Sequence, residues 1–381
     1  MEKGNSIRVL HYMTGMADVK AGIETYILNL YREAEKTQLK FYVLTRNAKC
    51  GSAVYNEFSE NGIEIFDLDC HNLNVKSVSG YYKKVKCFFE THRGAFDVLH
   101  MHGFDDPFVA YLAKRNGIKV CVLHAHSVER ENKGILKTVF KNLASRGNKK
   151  RADCRLACSD YAGKGMYGGA SFEVVRNSIP TELFTFDRTM REEMRCALNL
   201  VADEIAFCYT GRFIAVKNLF FLLDVFAELV QVWNQARLFL LGDGEQKEEL
   251  ISYIAKKNLQ GKVVLLEQSN QVATVLQAMD VYVQTSLNEG FSLSALEAQS
   301  MGLPVFISDV FPREIEVTDL VRKISLNHTA EDWAKEIVSS LKNRESYDID
   351  IRTSYSEIVR QRGYDSNNAL DEMYCRYRRN V

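Results

Sequence analysis

Several features that are absent from this sequence exclude classes of protein before any motif is considered. Basic and acidic residues are equal in number, 49 each, so the formal net charge is zero and we expect no nucleic-acid partner. No stretch approaches the roughly 18 uninterrupted apolar residues that a membrane-spanning helix needs. The first apolar run, Ile7–Tyr12, is too short and too polar for a secretion signal. We therefore expect a cytoplasmic protein.

Proline is scarce, and the cysteines lack a pattern. With only four prolines in 381 residues, domain boundaries must be located from the rhythm of predicted elements rather than from chain breakers. The nine cysteines are not paired in spacing, and the closest two, Cys154 and Cys158, do not fit a zinc or redox motif. We expect them to be buried small hydrophobic residues in a reducing compartment.

The residues that are present indicate a soluble chain with two domains. A hydrophobic fraction of 46% with 26% charged residues is typical of a globular protein, and 381 residues are comfortable for two domains. Short apolar runs alternate with amphipathic stretches, which is the βαβ rhythm of a doubly wound parallel sheet. The predicted strands are Ile7–Tyr12, Lys40–Thr45, Ile63–Phe66, Val98–Met101, Val120–His124, Arg155–Ala157, Ile205–Tyr209, Arg237–Leu241, Val263–Leu266, Val281–Gln284 and Val305–Ile307.

Helical patterns fill the intervals between these strands. The predicted helices are Ile23–Glu35, Val78–Glu90, Phe108–Arg115, Ile135–Ser145, Leu219–Val232, Gln246–Lys257, Val272–Met279 and Ser294–Ser300. We place one Rossmann-like domain at residues 1–185 and a second at 186–359, with a polar linker in Pro180–Asn199. The charged tail from about Tyr347 to Val381 is expected to be helical, and its C-terminal helix, about 360–381, is expected to pack back on the first domain. Parallel sheets bind ligands at the carboxyl ends of their strands, so we expect the site in a central cleft that the two domains face.

Two segments that follow predicted strands suggest an anion site. The first is Thr210-Gly211-Arg212-Phe213 with Lys217-Asn218, which leads into an apolar helix. Asn218 is a favourable N-cap, and cations beside a helix N-terminus suit a diphosphate. The alternative is two ordinary solvated cations.

The second segment runs from Glu289 through Gly290 and Phe291 to Glu297 and enters a helix. Its loop amides could face a ligand, and a carboxylate near the helix start could accept both hydroxyls of a ribose. The spacing Ser294-x-x-Glu297 is also that of a capping box, which would give Glu297 a purely structural role. These residues alone do not decide between the two interpretations.

The combined pattern resembles retaining glycosyltransferase family 4, whose fold is called GT-B. The resemblance is carried by segments in family order and spacing along nearly the whole chain: Gly22-Ile23-Glu24, Val98-Leu99-His100-Met101-His102-Gly103, His124-Ala125-His126-Ser127, Val174-Val175-Arg176-Asn177, Gly211-Arg212-x4-Lys217-Asn218, Gly242-Asp243-Gly244 and Glu289-x7-Glu297. The phrase Ala295-Leu296-Glu297-Ala298-Gln299, with Ile315–Val321 after it, is similar to bacterial capsule and exopolysaccharide transferases. Ser292 departs from the family, which often has proline there.

The resemblance implies an activity and a set of site residues. It implies transfer of a sugar from a nucleotide sugar, expected to be UDP-linked, to a saccharide acceptor, with lipid-linked saccharides suited to the family, in capsule or exopolysaccharide synthesis. Retention of the anomeric configuration and independence of metals and other cofactors are implied too. Glu297 would hold the ribose, Arg212 and Lys217 the diphosphate, and Glu289, Gly290, Phe291 and the amides of Ser292 and Leu293 the sugar and β-phosphate. Gly22 would admit the phosphates, and His126, with His102 as a neighbour, would reach the donor sugar.

Other classes of enzyme fit less well. A nicotinamide dehydrogenase needs G-x-G-x-x-G after the first strand, and that loop, from Thr14-Gly15-Met16 to Ala21-Gly22, lacks it. Metal-dependent GT-A transferases use a D-x-D motif. Asp67-Leu68-Asp69 and Asp348-Ile349-Asp350 have that form, and we interpret both as chance acidic pairs.

Two alternatives share the GT-B fold. A nucleotide-sugar epimerase would need an additional acid–base pair, which we do not identify. An inactive partner subunit that stabilises another transferase would be expected to lack site residues, whereas His126, Arg212, Lys217, Glu289 and Glu297 are all present.

The segment Lys133–Arg155 is locally basic. Lys133, Lys137 and Lys141 would share one face of a helix, with apolar residues opposite. A surface helix packed on the sheet explains the apolar face, and the cations could contact anionic lipids. We therefore expect peripheral contact with anionic membrane, at the inner face of the cell membrane.

Overall fold

The chain folds as successive parallel βα units. The structure, a computed structural model, describes residues 6–16, 22–34, 37–70, 73, 77–104, 106–127, 144–267, 272–342 and 349–381. It divides into two units, one formed by Met1–Asn177 with Ser366–Val381 and the other by Ser178–Asp365. Each unit contains one parallel sheet with helices, so the two are described in turn.

The first unit is built on a sheet of strand order β3-β2-β1-β4-β5-β6-β7, in which every described pairing is parallel. The strands are β1 (Ile7–Met13), β2 (Leu39–Thr45), β3 (Glu64–Asp67), β4 (Val98–Met101), β5 (Val120–Ala125), β6 (Cys154–Ala157) and β7 (Glu173–Val174). The helices with described bounds are α1 (Gly22–Ala34), α2 (Ala53–Glu60), α3 (Val78–Thr91), α4 (Val109–Arg115), α5 (Asp160–Tyr167) and, from the chain end, α13 (Ser366–Asn380). Because β1 lies between β2 and β4, the strand order reverses at β1 and β4.

The C-terminal helix completes the core of the first unit. Leu370, Met373 and Tyr377 of α13 are buried together with Tyr26 and Ile27 of α1. As predicted, the tail is helical, and its last helix packs on the N-terminal unit. Burial of these apolar side chains stabilises the packing of the C-terminal segment on the first unit.

The second unit repeats the architecture with strand order β10-β9-β8-β11-β12-β13, again parallel. The strands are β8 (Ile205–Thr210), β9 (Ala236–Leu241), β10 (Val263–Leu266), β11 (Val281–Gln284), β12 (Val305–Ser308) and β13 (Val321–Ile324). The described helices are α6 (Arg188–Ala197), α7 (Leu219–Val232), α8 (Lys247–Lys256), α9 (Val272–Ala278), α10 (Leu293–Ser300), α11 (Ala330–Lys342) and α12 (Ser354–Gln361). Here the order reverses between β8 and β11.

The division between the units differs from the predicted boundary at 185/186. The segment 178–185 belongs with the second unit because its polar groups are bonded there. The Thr181 hydroxyl donates to Asp365 Oδ2 at 2.5 Å, and Gln277 Nε2 donates to the Thr185 carbonyl at 2.9 Å. The return to the first unit comes at Ser366, slightly later than the predicted residue 360.

The predicted linker in Pro180–Asn199 is wrong in its second half, which forms helix α6. Asp187 caps this helix by accepting from the Met190 amide at 2.8 Å. Arg191 and Arg195 then reach Asp280 with N···O distances of 2.5 and 3.2 Å. A polar sequence is thus held by ion pairs rather than by an apolar face, which is why periodicity did not reveal it.

The predicted strands are confirmed to within one residue at each end. Two edge strands, β7 and β13, were not predicted. Edge strands need less apolar sequence than central ones, and β13 includes Arg322 and Lys323. Helices α2, α5, α6 and α11 were also missed. The predicted helix at Ile135–Ser145 lies outside the described residues except for 144 and 145.

The expectation about cysteines is only partly correct. All nine thiols are free, but Cys121, Cys158 and Cys208 alone are buried, whereas Cys50, Cys87, Cys196 and Cys375 are exposed. Within the described ranges, no helix combines the length and the apolar character that crossing a membrane requires.

Candidate functional site

The phosphate-site candidates follow the two strands at which the second sheet reverses. Arg212 and Lys217 lie in the loop after β8, and Glu289 lies in the loop after β11, whose strand pairs directly with β8. Open parallel sheets bind ligands at such a point, beyond the carboxyl ends of the strands. The fold therefore collects these side chains at one edge of the sheet.

Close backbone packing holds the loop that contains Arg212. The Phe213 amide donates to the Asp243 carbonyl at 2.8 Å, so the loops after β8 and β9 are joined. A Cβ atom on Gly242 would lie 1.9 Å from the Gly211 carbonyl oxygen, and one on Gly244 would lie 2.5 Å from that of Phe213. Only glycine permits this approach, which gives Gly242-Asp243-Gly244 a structural role beneath the anion-site candidate.

Lys217 and Glu289 form an ion pair. Lys217 Nζ lies 2.6 Å from Glu289 Oε1, and both side chains are largely buried. The same oxygen accepts from Gln284 Nε2 at 2.8 Å. Two residues that were assigned to different parts of the substrate are therefore neighbours, and each fixes the position of the other.

The two candidate cations differ in their surroundings. Arg212 has no ion-pair or hydrogen-bond partner for its guanidinium among the described residues, and it is half-buried. Lys217 already contacts a carboxylate. Arg212 consequently contributes the uncompensated positive charge of this loop, and an anion would be attracted to it first.

Asn218 does not cap its helix as predicted. It occupies the N-cap position of α7 in the left-handed conformation, with φ 56° and ψ 42°, and its side chain makes no capping bond. Instead its amide Nδ2 donates to the Thr285 carbonyl at 3.1 Å, and the Thr285 hydroxyl donates to the Asn218 carbonyl at 2.9 Å. Asparagine tolerates this conformation, and here it joins the loops that follow β8 and β11.

The capping-box alternative for Glu297 is wrong. Helix α10 begins one residue earlier than predicted, and its N-cap is Ser292, whose hydroxyl accepts from the Ala295 amide at 3.2 Å. Ser294 is therefore inside the helix, and Glu297 lies beyond the position that a capping-box glutamate occupies. Glu297 is buried, with 8% of its surface exposed.

The remaining predicted donor residues surround the start of α10. Phe291 is buried and its ring lies parallel to that of Tyr364, with centroids 5.9 Å apart. Leu293 is the first residue of the helix, where amide groups have no partner within the helix. Ser292 also donates to Gln284 Oε1 at 2.9 Å, so one glutamine is bonded to both Glu289 and Ser292.

Gly22 is the first residue of α1 and is exposed. A Cβ atom there would have no neighbour within 4 Å. The described parts of the protein thus do not themselves require glycine at this position, which leaves space for a group outside the chain.

Five histidines lie side by side in the first unit, at the carboxyl ends of the strands where the sheet reverses. His11 is opposite His100 in the pairing of β1 with β4, and His102 directly follows β4. His124 and His126 are two positions apart at the end of β5, so their side chains point to the same face. Four of the five are buried, and His126 is half-buried.

Hydrogen bonds join these rings into two chains. In one, His11 Nδ1 lies 2.9 Å from His102 Nε2, and His102 Nδ1 lies 2.8 Å from His126 Nε2. In the other, His124 Nδ1 lies 3.2 Å from His100 Nε2, and His100 Nδ1 lies 2.6 Å from the Tyr377 hydroxyl. His126 and His102 are therefore in direct contact, as predicted neighbours should be.

Burial keeps these imidazoles neutral. Desolvation lowers the pKa of His11 to about 3 and the pKa of His126 to about 3. It also holds the pKa values of His100, His102 and His124 well below the usual imidazole range. Each ring then has one N–H donor and one acceptor nitrogen at neutral pH.

The histidines are close enough to be considered as metal ligands. His11, His100 and His102 place ligand nitrogens within 4.8 Å of one another, and so do His102, His124 and His126. Both nitrogens of His102, which belongs to both sets, are already hydrogen-bonded to neighbouring rings. A metal ion would have to displace one of these bonds, so we interpret the cluster as a hydrogen-bonded one.

The first D-x-D pair has a local structural role. The Asp69 amide donates to Asp67 Oδ1 at 2.8 Å, and Asp69 forms an ion pair with Lys84 at 3.1 Å. The second pair begins at Asp348, outside the described residues.

Three neighbours of the site candidates were not predicted from the sequence. Gln284 ends β11, His11 lies in β1, and Tyr377 reaches the cluster from the last helix. The sequence could have indicated His11, because β1, β4 and β5, which are neighbours in the sheet, all contain histidine toward their carboxyl ends. No such pattern indicates Tyr377, since its partner is 277 positions away in sequence.

Comparisons with known proteins agree with this architecture. The family model described as "Glycosyltransferase Family 4" matches residues 21–183, and "Glycosyl transferases group 1" matches residues 190–357. A putative glycosyltransferase of Bacillus subtilis, EpsF, is 30% identical over 94% of this chain and 93% of its own length. An Escherichia coli UDP-Gal:alpha-D-GlcNAc-diphosphoundecaprenol alpha-1,3-galactosyltransferase is 26% identical over 63% of this chain and 64% of its own.

Solved structures show the same fold at lower identity. Anabaena HepE in complex with UDP-glucose superposes with a TM-score of 0.80 at 17% identity, covering 98% of this chain and 100% of the other. WaaG, a glycosyltransferase involved in lipopolysaccharide biosynthesis, gives a TM-score of 0.72 at 14% identity, covering 96% and 98%.

Two Rossmann-like units, each with its polar cluster beyond the strands at which the sheet reverses, give this chain the GT-B fold. The chain belongs to glycosyltransferase family 4.

Proposed function

We propose that this glycosyltransferase transfers a sugar from a UDP-sugar to a lipid-linked saccharide, with retention and without a metal ion, in bacterial exopolysaccharide or capsule synthesis. The observation that supports this most strongly is the loop pair after β8 and β11. It combines the uncompensated guanidinium of Arg212, the Lys217–Glu289 pair and the start of α10. A diphosphate suits such a site, because cations and unpaired amides both stabilise negative charge.

The ribose is assigned to Glu297. With Ser292 as the N-cap of α10, capping no longer explains a carboxylate at this position. A buried carboxylate can accept charge-assisted hydrogen bonds from two adjacent hydroxyls. Anabaena HepE, which has the same fold, was solved with UDP-glucose, and we extend the uridine nucleotide to this chain as the expected donor.

The sugar-side assignments are Glu289, Gly290, Phe291 and the amides of Ser292 and Leu293, with Gly22 and His126 from the first unit. Gly22 supports this role because its open surroundings permit close approach of a phosphate. His126 supports it because its imidazole is neutral and half-buried at a strand end. The Cys158 thiol donates to the His126 carbonyl at 3.3 Å, so the ring is the group we assign to the sugar.

Retention is proposed from the resemblance to the retaining family, and the duties of the two motif carboxylates bear only on how it would be achieved. A double displacement would need a carboxylate nucleophile at the anomeric carbon. Glu289 Oε1 already accepts from Lys217 and Gln284, and Glu297 is assigned to the ribose. We therefore propose departure and capture on the same face, with a donor phosphate oxygen helping to take the acceptor proton. Arg212 and Lys217 would stabilise the leaving diphosphate in place of a metal.

The acceptor assignment rests on relatives. The E. coli relative is named for transfer to a diphosphoundecaprenol-linked sugar, and the EpsF relative for an activity of the same general kind. A lipid-linked acceptor would suit contact with anionic membrane through Lys133–Arg155, of which residues 133–143 lie outside the described structure. In the described part, the Arg151 guanidinium lies 5.2 Å from the Tyr111 ring centroid, so it is already engaged within the protein.

Product analysis tests the proposal. The protein is incubated with UDP-sugars and a lipid-linked saccharide in the presence of a chelator, and the product is examined by proton NMR. We expect an α-linked product from the α-linked donor. A β-linked product or loss of activity on chelation contradicts the mechanism, and an epimerised nucleotide sugar without transfer would indicate the epimerase alternative.

A further inference from the structure

The N–H groups in the hydrogen-bond chain of His11, His102 and His126 must all donate in the same direction along the chain. His11, His102 and His126 are linked by two ring–ring hydrogen bonds, and each neutral ring supplies one N–H. His102 uses both nitrogens, so the position of its single proton determines the tautomer of both neighbours. Only two arrangements preserve both bonds: all three rings protonated at Nδ1, or all three at Nε2.

The surroundings of His11, at the end of the hydrogen-bond chain away from His126, decide between the two arrangements. In the second arrangement, His11 would have an N–H at Nε2. That atom is buried and has no hydrogen-bond partner among the described residues. In the first arrangement, the same atom is an unprotonated acceptor. A buried N–H donor without an acceptor is rarer in proteins than a buried acceptor without a donor. The first arrangement is therefore the stable one.

We infer that His11 and His102 are positioning residues that fix His126 as an Nδ1–H donor. His11 donates from Nδ1 to His102 Nε2, and His102 donates from Nδ1 to His126 Nε2. The free nitrogen of His126 then presents a hydrogen-bond donor to whatever lies beyond the strand end. Because this nitrogen has the proton and the lone pair of Nε2 is engaged by His102, the ring can donate to an oxygen acceptor such as a sugar hydroxyl and has no free lone pair with which to act as a base.

The inference rests on the proposed function only in identifying this acceptor as an oxygen of the donor sugar. The tautomers themselves follow from the hydrogen-bond chain and can be measured in the free protein. This separates the two claims in one set of experiments.

The test uses the full chain labelled with 15N-histidine, because the two neutral tautomers differ in the 15N shifts of Nδ1 and Nε2. Assignments come from through-bond correlations that connect each imidazole to its own assigned backbone amide. We expect His11, His102 and His126 all to be Nδ1–H at neutral pH. The Nε2–H tautomer at His126 would overturn the inference, even if every variant failed to fold, since the measurement needs only the native protein.

Two variants test the direction of the chain. His102→Phe removes the donor to His126, so His126 should shift toward the Nε2–H tautomer that free histidine prefers, and the KM for UDP-glucose should rise. Tyr377→Phe breaks the other chain, at His100, and should leave the His126 tautomer unchanged. An unchanged His126 tautomer in His102→Phe contradicts the inference, as does a changed one in Tyr377→Phe.

Addition of UDP-glucose to the labelled protein addresses the proposed function separately. Movement of the His126 signals on binding supports its contact with the donor. If UDP or UDP-glucose binds without any effect on these signals while the Nδ1–H tautomer is present, the positioning chain stands and the donor assignment of His126 fails.

Discussion

At the scale of single residues, the structure separates side chains that share a motif. Glu289 is bonded to Lys217 and Gln284, and Glu297 is released from the capping role that its sequence spacing allowed. Two carboxylates with the same chemistry are thereby given different surroundings. Their substitution should have different consequences.

Glu297→Gln should weaken the binding of UDP by about tenfold or more, because a neutral amide replaces charge-assisted bonds to the ribose hydroxyls. The melting temperature should change little, since glutamine preserves size and an acceptor oxygen. Isothermal titration with UDP measures the affinity, and Glu248→Gln, on the exposed side of α8, is the control. Unchanged affinity would remove Glu297 from the donor site.

Arg212→Ala should reduce kcat by about 100-fold or more, because in the proposed mechanism the guanidinium faces the charge that develops as the diphosphate leaves. Lys217→Ala should do the same, but it also leaves Glu289 without its cation, so its melting temperature should be measured alongside. Steady-state kinetics compare both with Lys256→Ala, an exposed lysine of α8. Near-native turnover in both variants would place the leaving-group site elsewhere.

At the scale of elements, one residue at the start of α10 contributes both to the stability of the helix and to the proposed donor site. Ser292 caps the helix and also bonds Gln284. This chain has serine where the family often has proline. The serine hydroxyl makes hydrogen bonds to the Ala295 amide and to Gln284 that a proline side chain could not make.

Ser292→Ala should destabilise the second unit by about 1 kcal/mol, since it removes the side-chain cap. Ser294→Ala, only two positions away, should be neutral or slightly stabilising, because alanine is the better residue inside a helix. Urea unfolding of both variants measures the difference. Equal stability of the two, or the reverse order, would restore the capping box at Ser294.

At the scale of the whole molecule, the two units should respond differently to acid. Four fully buried histidines lie in the first unit with pKa values depressed by burial, so the folded state resists protonation while the unfolded state takes up protons below about pH 6.5. Stability of the first unit should therefore fall as the pH drops below about 6.5, and the loss should continue down to the depressed folded pKa values of these histidines.

The tryptophans allow this to be observed. Both of them, Trp233 and Trp333, lie in the second unit. During acidification, far-UV circular dichroism should begin to change at a higher pH than tryptophan fluorescence does. Coincident transitions would show that the histidines do not govern acid stability.

The sequence by itself determined the strand and helix rhythm, the parallel fold class and the loops in which the site candidates lie. Apolar periodicity and turn chemistry are local properties, so they are legible over a few residues. Helix α6 and the edge strands β7 and β13 were not predicted, because elements held by ion pairs or lying at a sheet edge do not need an apolar pattern.

Only the tertiary structure decided which atoms meet. The Lys217–Glu289 pair spans 72 positions, the His11–His102 bond 91, and the His100–Tyr377 bond 277. Such contacts depend on strand order and on the return of α13 to the first core, which no local pattern encodes. The capping residue of α10 was decided in the same way, because Gln284 on the neighbouring strand holds Ser292 at the helix start.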